Sequence, residues 1–92
     1  MTKGEALELM RQYSVYVAEN TEALVGSTRS TFTITKRTHL LSMPLRFPEN
    51  GSERKAMRWL GFMQGALWMV GAFSLDELKE HSRKRFIGKA PP

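Results

Sequence analysis

His39 and His81 are the only histidines of this 92-residue sequence, and imidazole is the side chain best suited to move a proton near neutral pH. His81 follows Glu77 by four residues, which on a helix brings the carboxylate and the imidazole to one side, one turn apart. Such a pair could orient a general base. No third member accompanies it, and Glu and His at this spacing are common on exposed helical faces. The absence of cysteine excludes a disulfide, a thiolate metal site and a cysteine nucleophile, and fits a reducing, cytoplasmic setting. A glycine-rich phosphate loop, a metal-spaced cluster and a nucleophile motif are all missing from the sequence. The expectation is a protein that is not an enzyme and uses no cofactor or metal.

A second chemistry is electrostatic. The net charge is +5, and the excess of basic residues lies in the second half. Arg83, Lys84, Arg85 and Lys89 form a cluster that could contact phosphates or an acidic patch of a protein. The preceding segments superficially copy a helix-turn-helix. However, the start of the last helix carries Asp76, Glu77 and Glu80, which would meet the phosphate field unfavourably. Acids at the start of a helix and bases at its end also answer the helix dipole without any ligand. Nucleic-acid binding therefore stands as the alternative function, through the basic end and not by groove reading. Trp59 and Trp68 are nine residues apart and point in opposite directions, so they cannot form one stacking platform on their helix.

The third chemistry is contact. In "RWLGFMQGALWMVGAF", Arg58 to Phe73, apolar residues surround two glycines four apart. At 100° per residue, Ala56, Trp59, Leu60, Phe62, Met63, Ala66, Leu67 and Val70 share a broad arc that predicts the core face. Met57, Arg58, Gly61, Gly65 and Trp68 fall on the back. A glycine inside a helix costs about 1 kcal/mol relative to alanine, and close approach of another group is the usual compensation. Two arrangements supply it. Either the protein's own first helix covers this back, or Met57, Arg58, Gly61, Gly65 and Trp68 form a shallow groove for a partner or a second copy of the chain. Trp, Met and Arg are enriched where proteins meet.

These residues need elements to hold them. Thr2 and Glu5 have the form of a capping box, which predicts a first helix from about Lys3 to a stop at Gly26. It has Ala6, Leu9, Met10, Tyr13, Tyr16, Val17 and Leu24 on one side and an acidic stripe on the other. Residues 27–35 read as an extended or short-strand segment leading to a short helix from Lys36 to about Met43, with Pro44 as its end. Pro48 to Gly51 is a turn by composition. Ser52 caps a third helix that reaches about Val70. Ser74 and Glu77 then form a second capping box, with Phe73 and Leu78 as its hydrophobic staple, before a final helix that presents Leu75, Leu78, Ser82 and Phe86 on one face.

The fold class expected is mainly α, a small bundle of three to four helices, with residues 1–87 as a single domain and 88–92 as a flexible basic and proline tail. The start, "MTKGEALELM", has no apolar run of the kind a signal peptide needs. Trp59 to Phe73, interrupted by Gln64, falls short of the roughly 20 residues that cross a bilayer. No membrane association is expected.

The segment "KAMRWLGFMQGALWMVGAFSLDELKEHSR", Lys55 to Arg83, resembles one found in small accessory proteins of temperate phages and prophages. In these, an Arg-Trp-Leu-Gly-Phe start leads to a Gln-Gly pair and a closing Asp-Glu-Leu helix. The resemblance covers about a third of the chain and carries no catalytic or binding residue to transfer. Proteins of that type often bind a host protein such as a nuclease, a polymerase or a defence complex. By analogy the resemblance implies a binding module that inhibits or redirects a host partner. A homodimer through the glycine face is the remaining expectation.

Overall fold

Thr2 starts the first helix as its spacing predicts. Its hydroxyl accepts from the Glu5 N–H at 3.1 Å, while the Glu5 carboxylate accepts from the Thr2 N–H at 2.8 Å. Two backbone donors that would otherwise lack partners are thereby satisfied. In the computed structural model, which describes residues 1–25 and 34–84, this helix, α1, spans Lys3–Glu19 and buries Ala6, Leu9, Met10, Tyr13 and Val17. Tyr16 lies beside that stripe, partly buried.

α1 does not continue to Gly26. The Asn20 backbone N–H and side-chain amide both donate to the Tyr16 carbonyl, at 3.0 and 2.8 Å, and the Thr21 hydroxyl donates to Val17 O at 2.9 Å. The two side-chain bonds take up carbonyls that the helix uses for its own ladder and so compete with its continuation. A separate short helix, α2, follows at Thr21–Val25 and buries Leu24. Gly26 lies outside the described residues.

The helix α3 spans Ile34–Arg46. Two expectations change here. Ile34 and Thr35 are helical, not extended, while residues 27–33 lie outside the described part of the chain. Pro44 stands inside the helix instead of ending it. Proline has no N–H to offer the Leu40 carbonyl one turn back, and its ring crowds that carbonyl. α1 repairs the gap: the Ser14 hydroxyl donates to Leu40 O at 3.2 Å, with Leu41 O also near at 3.4 Å, so the carbonyl that Pro44 frees is met from a neighbouring helix.

Ser52 caps α4, Glu53–Met69, by accepting from the Lys55 N–H at 3.0 Å. Ala56, Leu60, Met63, Leu67 and Val70 are buried. α1 packs against both α3 and α4, and the core is the seam between them. That seam is narrower than the arc expected. Phe62 is 55% exposed, and Trp59 is only partly buried, meeting Phe47 edge-on at 5.2 Å. With α1 as its main neighbour, α4 needs only a stripe of about 100° in the core, and residues at the margins of the arc are left out.

The turn into the last helix is closed by hydrogen bonds from both sides. Gly71 adopts φ 77°, its N–H donates to Trp68 O at 3.0 Å, and the Ala72 N–H donates to Leu67 O at 2.9 Å. This is the paired arrangement in which glycine ends a helix. Ser74 and Glu77 then exchange both bonds of the expected capping box, at 3.1 and 2.8 Å, and Phe73 and Leu78 are buried beside it. α5 spans Leu75–Lys84. Its buried face is Leu78 with His81; Leu75, expected on that face, is 55% exposed. Phe86 lies outside the described residues.

The protein is thus a small, mainly α bundle, with no strand among the described residues. No helix among them is long and apolar enough to cross a membrane.

Candidate functional site

His81 is not the exposed partner of Glu77 that its spacing suggests. It is 8% exposed, and its Nδ1 lies 2.8 Å from the Tyr13 hydroxyl of α1. Its ring meets Phe73 edge-on at 4.8 Å. The Gln64 amide of α4 donates to the same Tyr13 oxygen at 3.2 Å and to the Ser82 hydroxyl at 3.0 Å. Tyr13 is fully buried, and burial pushes its phenol up to about 12, with the Gln64 hydrogen bond opposing. Burial also holds His81 below its usual value, with the Glu77 carboxylate acting the other way. Both groups are therefore neutral near pH 7. The consistent assignment has Gln64 donating to Tyr13 and Tyr13 donating to His81 Nδ1, which puts the imidazole proton on Nε2. These bonds tie α1, α4 and α5 at one point inside the protein.

The accessible chemistry lies on the outside of α4. Met57, Phe62, Trp68 and Met69 are between 40% and 63% exposed. A Cβ added at Gly61 or Gly65 would meet nothing within 4 Å among the described residues. α1 packs on the opposite side of α4, so it does not cover the glycines.

Two clefts flank that face. One, of about 490 Å³, runs between α4 and α5 and is lined by Gly65, Trp68, Leu75, Lys79 and Arg83, with Gln64 and Ser82 at its base. The other, of about 320 Å³, lies between α3 and α4 and is lined by His39, Met43, Arg46, Arg58, Trp59 and Phe62. Among the described residues, neither lining contains a carboxylate side chain. Arg83 is held by Glu80 of its own helix at 3.6 Å, an exposed pair that leaves the guanidinium facing water.

The residues singled out from the sequence are divided by this geometry. Gly65 and Trp68 share the α4–α5 cleft with Arg83, whereas Arg58 belongs to the α3–α4 cleft. Met57 and Gly61 are exposed on the ridge of α4. Lys84 is the last residue of α5, and Arg85 and Lys89 lie outside the described residues. Sequence reasoning missed Lys79 and Leu75 as lining groups. Their signal was the spacing of four that links Leu75, Lys79 and Arg83 along one side of α5. It also missed His39 and Arg46, seven apart on α3, a spacing hidden by the assumption that Pro44 ends the helix.

Among the described residues, no group of three or more His, Asp or Glu side chains is placed to hold a metal ion. No family model, curated protein or solved structure matches the chain. What the fold and surface define is a small helical bundle whose fourth helix turns an apolar, glycine-bearing face outward between two basic clefts.

Proposed function

We propose that the protein is a binding module whose α4 face docks an acidic segment of a partner protein. The observation that carries this reading is the exposure of Met57, Trp68 and Met69 around Gly61 and Gly65, with none of the described residues within 4 Å of a Cβ at either glycine. A contiguous apolar helix face of this kind is unusual on a protein that works alone. Its surroundings favour a negatively charged occupant: Lys79 and Arg83 line the adjoining cleft, Arg83 keeping most of its guanidinium in water beside Glu80, and Arg54 is exposed on the same side of α4. Basic rims of this type speed encounter and set orientation, while the buried apolar anchor supplies affinity. The resemblance of Lys55 to Arg83 to phage accessory proteins supports a host protein as the partner, with its inhibition or redirection as the outcome.

The test is capture from host lysate with nuclease present, comparing the unaltered protein with Trp68→Ala and Gly65→Leu. Both positions are on the surface, so circular dichroism should show intact folds. Loss of a central tryptophan typically weakens such a contact by 2 kcal/mol or more, about thirtyfold. Both variants should release the captured protein. Retention by both, with folds intact, would sink the proposal. Nuclease-sensitive capture would favour the nucleic-acid alternative, and a doubled mass in solution that Gly65→Leu restores to one chain would favour the homodimer.

A further inference from the structure

We propose that the cleft between α3 and α4 binds a nucleotide unit, with its phosphate on Arg46 and Arg58 and its base against the rings of Phe62 and Trp59. The proposal concerns a different surface from the α4–α5 cleft and does not depend on a protein partner.

The first observation is how the cations are held. Arg46 is oriented by an imidazole and not by a carboxylate: its Nη2 lies 3.1 Å from His39 Nδ1, and a guanidinium can only donate. A carboxylate in that role would neutralise the guanidinium, whereas an imidazole positions it and leaves its charge for a ligand. With Nδ1 accepting, the His39 proton sits on Nε2, a further donor in the same cleft. Arg58 reaches the cleft from α4 and forms no ion pair among the described residues. Two guanidinium groups thus line one cavity that has no anionic side chain among its described lining residues, an arrangement that an oxyanion relieves.

The second observation is the wall. Phe62 is 55% exposed and sits edge-on to His39, with ring centroids 5.6 Å apart. This leaves a ring face for a flat partner. Trp59 lines the same cavity and is fixed by its edge contact with Phe47. A bare anion would use the arginines and ignore these rings. A base attached to a phosphate uses both, because stacking on aromatic side chains accepts any base while arginine holds the backbone. At about 320 Å³ the cleft is at the small end of ligand sites, about 300–1,000 Å³, and suits one nucleotide at a time.

The experiment uses the full chain and four probes: inorganic phosphate, uridine, uridine monophosphate and hexathymidylate. Binding is followed by amide and aromatic chemical shifts and by Trp59 fluorescence in a Trp68→Phe background. The expected result is that the monophosphate shifts His39, Phe62 and Trp59 and binds at least tenfold more tightly than phosphate or uridine alone. Arg46→Ala, Arg58→Ala and Phe62→Ala, all at exposed positions, should each weaken it about tenfold. Lys79→Ala, in the other cleft, should leave it unchanged. Much tighter binding of hexathymidylate identifies a nucleic-acid strand as the source of the nucleotide, and equal binding identifies a free nucleotide; either supports the site. The proposal is overturned if none of the probes binds, if phosphate or uridine alone binds as well as the monophosphate, or if the shifts map to Lys79 and Arg83.

Discussion

Acidification from pH 7.5 to 5 should weaken the fold through His81 before the carboxylates begin to titrate. The imidazole is nearly sealed off, and its Nδ1 accepts from a Tyr13 hydroxyl that itself accepts from Gln64. A proton on Nδ1 would confront the tyrosine with a donor and place a charge among Tyr13, Phe73 and Leu78. Desolvation therefore depresses the folded pKa, and the Glu77 carboxylate offsets part of the effect. The sign follows from which state takes the proton first. The unfolded chain does so near its ordinary value of about 6.5, while the folded protein resists until a lower pH. Stability is then highest above about 6.5, falls with pH by at most about 1.4 kcal/mol per unit, and levels off below the folded pKa. Urea denaturation at stepped pH measures this directly. His81→Gln, which keeps an acceptor but cannot titrate, should flatten the curve over this range. Identical curves for the unaltered protein and His81→Gln, or a gain of stability on acidification, would refute the assignment.

Ser14→Ala should destabilise the protein by about 1–2 kcal/mol, because it leaves the Leu40 carbonyl, which Pro44 deprives of its helical donor, without the hydroxyl that serves it. In a Pro44→Ala background the same change should cost less, and urea denaturation of the four proteins measures that coupling. Gly61→Ala and Gly65→Ala should each stabilise the fold by about 1 kcal/mol, since the new methyl meets open space. A fall in their urea midpoints would show that the face is not open.

The elements set by local chemistry were legible in the sequence. Thr2 with Glu5 and Ser74 with Glu77 each satisfy backbone donors three residues away, so their spacing is sufficient evidence of a helix start. What was not legible depended on residues far apart. Pro44 reads as a helix end until Ser14 of another helix is brought to it. His81 reads as an exposed partner of Glu77 until Tyr13, 68 residues earlier, claims its ring nitrogen. The candidate surface was legible in composition, as two glycines among large apolar residues. Its division was not: a helical wheel places Arg58 near Gly65, but only the positions of α3 and α5 assign the two residues to different clefts. Phe62 shows the same limit, because the width of the arc that becomes core depends on how many neighbours the helix has.

The Ser14 contact has a consequence for the cleft on the other side of α3. A helix interrupted by proline is a poor helix on its own, so α3 has its form only while α1 lies against it. His39, Met43 and Arg46 consequently come into register with Arg58 only in the assembled bundle. A chain in which α1 has come away holds no such cavity, and occupation of that cavity and folding of the chain are one linked equilibrium. A molecule resting between α3 and α4 would then act as a clasp on a helix it never touches, raising the melting temperature as its concentration rises.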